Sequence, residues 1–205
     1  MSDLFKNKYR ISSARLQTWN YADNSLYFIT ICTKDRECFF GDIVETRCSA
    51  SLADMPENKM QLNDLGKKVE SEWLKTIELR PDMNLELAEY VVMPNHFHGI
   101  IFIGENKYNN DYPKYMAGDV MHHVSTNGIV DDSPKNKFGN QSKNLASIIG
   151  GFKAAVTTYA RKNNIPFAWQ ARFYDHIITS NEEYLKIADY ILYNPNNWQK
   201  DKFYK

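Results

Sequence analysis

The stretch 97–103 (FHGIIFI) is apolar at almost every position, so a strand built from it must be covered on both faces and belongs inside a sheet. The rest of the chain has to supply that cover. Residues 26–33 (LYFITICT) are aromatic and β-branched and follow the turn-like DNS of 23–25, which predicts a first strand. Residues 85–93 read as a second strand, and Pro94-Asn95 turns it tightly into 97–103, so these two pair as a hairpin. Asn63 caps a predicted helix in which Leu65, Val69, Trp73 and Ile77 recur at intervals of four residues before Pro81. A second helix is expected over 144–163 despite Gly150-Gly151, and a fourth strand over 174–178. Ser180 and Glu183 have capping-box spacing and open a last helix that Pro195 stops.

The order strand, helix, strand, strand, helix, strand is that of a ferredoxin-like (RRM-like) split βαβ sandwich, an α+β fold. Its two main helices cover one face of the sheet, and the additional C-terminal helix is the natural cover for the other. Residues 104–143, rich in Asn, Asp, Lys, Ser and Gly, are too long for an ordinary connection and read as a mobile insertion within one domain over 1–205.

Composition narrows the class. The chain has 205 residues, 25 Lys+Arg against 25 Asp+Glu, and 43% hydrophobic residues, which excludes a disordered chain, a collagen-like fibre and a disulfide scaffold. No apolar run approaches the roughly 20 residues of a membrane span, and no apolar core follows the basic start MSDLFKNKYR. The 3 cysteines lack CxxC spacing and fit free thiols in a reducing compartment. The expectation is a soluble cytoplasmic protein with no membrane contact. Zero net charge argues against wrapping duplex DNA by charge alone. Basic residues nevertheless cluster: Lys6, Lys8, Arg10 and Arg15 against Asp3, then Lys143, Lys153, Arg161, Lys162 and Arg172 against Asp175. Each cluster is either a solvated face or an anion-binding surface.

The chemistry-bearing residues stand at the start of the central strand. Side chains alternate along a strand, so His96 and His98 share a face while Phe97 points into the opposite layer. Two imidazoles so placed either hold one divalent metal with open coordination positions or are ordinary surface or core histidines. On the last helix, Tyr190 and Asn194 are a turn apart on one face, with Ile187 and Ile191 flanking it. If that helix covers the histidine face, a phenol and an amide oxygen converge on the metal. A nearby cation then favours the nucleophilic phenolate. The plainer reading makes Tyr190 one of 13 tyrosines, packing its ring at the surface.

These residues fall in longer motifs. Val91-Val-Met-Pro-Asn-His-Phe-His-Gly-Ile100 resembles the HUH motif of the single-tyrosine (IS200-like) transposases. Trp169-Gln-Ala-Arg-Phe-Tyr-Asp-His176 and Asp189-Tyr-Ile-Leu-Tyr-Asn-Pro-Asn-Asn-Trp198 resemble later motifs of the REP-associated tyrosine transposase branch. Leu16-Gln-Thr-Trp-Asn-Tyr21 and Tyr27-Phe-Ile-Thr-Ile-Cys-Thr33 resemble its opening. The resemblance runs from about residue 9 to 200 and misses only the insertion.

It implies a metal-dependent endonuclease and strand transferase acting on single-stranded DNA beside hairpins such as REP-like palindromes. Carried over, His96 and His98 are metal ligands for Mg²⁺ or Mn²⁺. Tyr190 attacks the scissile phosphate, leaving a 5′-phosphotyrosine link and a free 3′-OH. Asn194 stands where many relatives have Gln as third ligand; it is one methylene shorter, and Pro195 disfavours helical angles at it. His176 either orients DNA or the nucleophile's helix, or is a buried hydrogen-bonded histidine. Lys153, Arg161 and Arg172 are phosphate contacts or solvated side chains, and Trp169 and Phe173 either stack on bases or pack in the core. His122 and His123 fall in the insertion and are not read as a second metal site. Relatives include monomers and dimers, so a homodimer stays open. Two alternatives differ in kind: a domesticated, non-catalytic regulator that binds hairpin DNA, and a metal-dependent phosphoesterase that uses water and needs no tyrosine.

Overall fold

A computed structural model describes residues 19–46, 57–109 and 142–205. The basic cluster at 6–15, the first part of the opening motif, Cys48, and the insertion from 110 to 141 with His122 and His123 lie outside the described residues.

Among the described residues, six strands and three helices follow in chain order: β1 (Ser25–Cys32), β2 (Gly41–Thr46), β3 (Glu57–Leu62), α1 (Asp64–Glu78), β4 (Leu85–Met93), β5 (His96–Ile103), α2 (Leu145–Lys162), β6 (Tyr174–Ile178) and α3 (Asn181–Leu192). Short 3₁₀ turns occupy Lys34–Arg36 and Pro195–Lys200. The main sheet has the order β4-β5-β1-β6 with every pairing antiparallel, the strand order of the ferredoxin-like sandwich. β5 is interior and nearly all of it is buried, as its largely apolar sequence requires.

Local chemistry sets the helix starts. Asn63, Asn144 and Ser180 each accept a hydrogen bond from the backbone N–H three residues on, and at Asn144 the reciprocal bond from Ser147 completes a capping box. α1 and α2 cover one face of the sheet, where Trp73, Phe97 and Phe152 form the centre of the large core with Ile101, Ile103 and Ile148. α3 covers the other face through a smaller core of Phe28, Ile100, Ile178 and Ile191, with Ile187 packed against it. No helix among the described residues is long and apolar enough to cross a membrane.

At Gly99 the helical layer lies close against the sheet. A Cβ there would stand 2.9 Å from the Phe97 ring and 3.0 Å from Trp73 Cζ2. Gly99→Val therefore overpacks the core beneath the histidines, and chemical denaturation should register a loss of about 1–3 kcal/mol.

The hairpin of β2 and β3 adds a small second sheet that the sequence reading did not contain. Its second strand, ENKMQL, carries only Met60 and Leu62 as apolar residues and has weak strand propensity. It forms because partner strand and neighbours cover it, with β3 lying against the 195–200 turn and α1.

Candidate active site

Alternation along β5 sends Phe97 toward α1 and α2, with its ring centroid 4.9 Å from that of Trp73. His96 and His98 turn to the α3 face, their ring centroids 4.5 Å apart. Both imidazoles are buried, His96 fully and His98 at 1% exposure.

Asn95, the second residue of the β4–β5 turn, fixes the state of His96. Its Nδ2 donates to the Arg36 carbonyl at 3.0 Å and to the Phe203 carbonyl at 2.8 Å. The atom facing His96 Nδ1, at 2.9 Å, is therefore the amide oxygen, which only accepts. Nδ1 must carry the hydrogen, and Nε2 presents a bare lone pair. On His98, Nδ1 lies 2.8 Å from the Thr30 hydroxyl, and Nε2 faces the Tyr190 hydroxyl at 3.1 Å.

The same logic orients Asn194. Its Nδ2 donates to Asp201 Oδ2 at 3.0 Å, which turns Oδ1 inward. Asn194 Oδ1 and His96 Nε2 are both buried with no hydrogen-bond partner. Buried acceptors without donors are costly, and a cation relieves both at once. His96, His98 and Asp201 each offer a ligand atom within 4.8 Å of the others, close enough to bind one metal ion. The donor set of imidazole nitrogen, amide oxygen and carboxylate suits a borderline or hard divalent ion.

Electrostatics keep the imidazoles ready to ligate. Burial, with help from Lys202 and Arg36 and against the effect of Asn194, depresses the His96 pKa to about 3. Burial and then the neighbouring His96 hold His98 well below its ordinary value. Tyr190 is pushed up to about 12 by burial and then by the Asp201 carboxylate, so its phenol stays protonated without further help. A histidine depressed on folding stabilises the native state above its unfolded pKa of 6.5, and that contribution is lost as pH falls through the folded value of about 3. Thermal melts of the metal-free protein should therefore fall between these limits, with a smaller drop in His96→Gln.

Helix α3 carries Tyr190 to this point. Ile187 and Ile191 seat the helix on the sheet, and the Tyr190 ring stands edge-on to Phe28 with centroids 6.4 Å apart. Tyr190 remains 40% exposed, so an outside molecule reaches its hydroxyl. Asp201 Oδ2 lies 3.4 Å from that hydroxyl. Asn194 has helical angles (φ −58°, ψ −43°), contrary to the expectation from Pro195. The α-helix ends at Leu192, but the chain continues as a 3₁₀ turn in which Asn194 is the first flank and proline takes the first position, where its missing N–H costs nothing.

The other residues singled out from the sequence divide. His176 Nε2 pairs with Glu183 Oε1 at 2.6 Å, and Glu183 also accepts from Thr179 N at the start of α3, so this histidine braces the start of the helix that carries Tyr190. Lys153 is occupied: its Nζ donates to the carbonyls of Gln170 and Arg172 at 2.8 and 2.9 Å, and burial lowers its pKa to about 8. Arg161 and Arg172 are exposed, away from the histidines in sequence and element. Trp169 packs against Phe40, Phe152 and Phe167. Asp201 was missed, because a single Asp among lysines after Trp198 forms no spacing pattern that points at a metal. Asn95 was read only as a turn residue. With its amide removed (Asn95→Ala), Mn²⁺ affinity should drop about 10–100-fold, the usual effect of losing a ligand's orienting partner; a titration without DNA measures it.

No protein-family model matches the chain. Among solved structures it is similar to a REP-associated tyrosine transposase bound to a REP hairpin, at a TM-score of 0.48 and 16% identity, covering 91% of this chain and 74% of that one. Among curated proteins it is 37% identical over 194 residues to an uncharacterized protein of Haemophilus influenzae, covering 94% of this chain and 92% of that protein. Identity of that extent over nearly the whole of both chains means that this protein and the Haemophilus influenzae protein belong to one family.

Proposed function

We propose that the chain is a metal-dependent endonuclease and strand transferase of the HUH tyrosine transposase type, acting in the cytoplasm as one domain on single-stranded DNA beside hairpins such as REP-like palindromes. The observation that carries this reading is the Tyr190 hydroxyl, 3.1 Å from His98 Nε2 and next to the partnerless acceptors His96 Nε2 and Asn194 Oδ1.

His96, His98 and Asn194 would hold Mg²⁺ or Mn²⁺, with Asp201 as the adjoining carboxylate; bound there, the ion neutralises charge on the phosphate. The chain's own groups do the rest. Tyr190 Oη gives its proton to Asp201, the carboxylate nearest to it, and attacks phosphorus. The Oη–P bond forms as the P–O3′ bond breaks, and the departing oxygen takes a proton from solvent to become a free 3′-OH, while Asp201 returns the phenol's proton to solvent. The covalent link keeps the phosphodiester's energy, so the 3′-OH of the same or another strand can reverse the step. Asn95 and Thr30 hold the imidazoles still, and His176 and Ile191 hold the helix.

The test is incubation with Mn²⁺ and a DNA hairpin bearing a single-stranded flank. A complex resistant to denaturation supports the proposal. Cleaved DNA with no attached protein points to a water-using phosphoesterase, and binding with no cleavage to a non-catalytic regulator.

A further inference from the structure

Two basic clusters were apparent in the sequence, but folding assembles a third from segments far apart in the chain. The turn after β1 carries Lys34 and Arg36, the end of the chain carries Lys200, Lys202 and Lys205, and side-chain hydrogen bonds from Arg36 and Lys205 tie the two segments together. The same two segments hold three acidic residues, Asp35, Glu37 and Asp201.

Arg36 and Lys202 stand nearest the site. The Arg36 guanidinium lies 5.3 Å and the Lys202 ammonium 4.8 Å from the centroid of the Phe203 ring. That ring lies 4.6 Å from His96 and 5.9 Å from His98. Neither cation is ion-paired among the described residues, although Asp201 is the neighbour of Lys202 in sequence. Two cations without a carboxylate partner on one ring, beside the buried histidines, raise the local positive potential, and an anion bound at either lowers it.

The turn is held in this arrangement against its own preference. Asp35 and Arg36 are consecutive non-glycine residues in the left-handed region, with φ of 55° and 56°. Such strain persists only where surroundings impose it. Here Asn95 Nδ2 grips the Arg36 carbonyl, Lys205 Nζ grips the Asp35 carbonyl at 3.0 Å, and Arg36 Nη1 donates to the Lys202 carbonyl at 2.9 Å. Asn95 thus sets His96 and Arg36 with one side chain, fixing the distance between a ligand and a cation.

Lys205 also lines a cavity of about 390 Å³ between the β2–β3 hairpin and the C-terminal residues, with Trp198 and Tyr204 in its wall and Asp42 and Glu45 on the hairpin side. Tyr204 is 51% exposed, and its ring meets Trp198 edge-on with centroids 5.3 Å apart. Cations followed by an exposed aromatic ring in an open cavity are the parts of a single-strand track: phosphate first, then a base.

We propose that Arg36 and Lys202 form a phosphate clamp that grips the backbone of single-stranded nucleic acid next to the phosphodiester presented to Tyr190, with the adjoining base laid against Tyr204. This rests on the reading of Tyr190 as nucleophile for the word "next", but the clamp itself is a binding site and is measured by binding.

The probe is a short fluorescein-labelled oligothymidylate titrated with the full chain in excess chelator at several salt concentrations, read by anisotropy. Arg36→Gln and Lys202→Gln should each weaken binding several-fold and each lower the slope of log affinity against log salt by about 0.7, the value of one single-strand phosphate contact. Arg36→Lys should keep the slope, and Lys67→Gln on α1 should change nothing. Circular dichroism reports folding; if Arg36→Gln does not fold, Lys202→Gln decides, because that side chain makes no hydrogen bond among the described residues. An unchanged slope in folded Lys202→Gln overturns the clamp, even if the parent forms the covalent adduct. A lowered slope with no adduct from the parent upholds the clamp and overturns the nucleophile reading instead.

Discussion

Tyr190→Phe should remove the covalent protein–DNA adduct altogether while leaving the fold, metal affinity and DNA affinity close to those of the parent. The change deletes one hydroxyl. The ring contacts that place residue 190, edge-on to Phe28 and 5.2 Å from His98 between centroids, do not involve that oxygen. The hydroxyl is also the only candidate nucleophile of this helix aimed at the histidines. Tyr184, two turns earlier, donates its hydroxyl to Glu89 on β4 at 2.8 Å, and Tyr193 is 59% exposed beyond the end of α3. Tyr184→Phe and Tyr193→Phe should accordingly keep the adduct yield within a few-fold of the parent on a denaturing gel. Normal adduct formation by Tyr190→Phe would mean that the helix presents a different group to the phosphate.

The second large effect concerns the metal. His96→Ala or His98→Ala should each abolish detectable Mn²⁺ binding in an electron paramagnetic resonance titration without DNA. Each should also lower the cleavage rate by at least about a hundred- to a thousand-fold, the range for removing one stabilising group from a phosphate or oxyanion site. The fold should survive, because β5 is held by its pairing with β1 and β4 and by Phe97, Ile100 and Ile101, none of which the substitution touches. The two replacements differ in what they strand: His96→Ala leaves the buried Asn95 amide oxygen without a partner, whereas His98→Ala frees the Thr30 and Tyr190 hydroxyls. His96→Ala should therefore be the less stable of the two in thermal melts. Cleavage at the parent rate in excess chelator would contradict the metal's part.

The ferredoxin-like order was legible because each element of the main sheet carries its own local signal. The largely apolar stretch 97–103 demanded an interior strand, Pro94-Asn95 a hairpin, and Asn63, Asn144 and Ser180 helix starts; each occupies that role. The juxtaposition of His96 with His98 follows from strand alternation alone, and the placement of Tyr190 near them from the apolar stripe of Ile187 and Ile191. What local pattern could not reveal is what non-local packing creates. Strand β3 has a polar sequence and exists through its partner. Asp201 reaches the site because Phe203 folds back onto the histidines and Asn95 holds its carbonyl. Lys153 looks like a free cation in sequence, yet the strained loop at Arg172, with φ of 69°, turns carbonyls toward it and consumes its donors.

The most direct measurement is the mass of the tyrosine-bearing peptide after the parent protein has been incubated with Mn²⁺ and a hairpin carrying a single-stranded flank, then digested with protease and nuclease. The account predicts a nucleotide joined through its 5′-phosphate to Tyr190, together with a released strand ending in a 3′-OH. A nucleotide on Tyr184 or Tyr193, or cleaved DNA with every tyrosine unmodified, would contradict it.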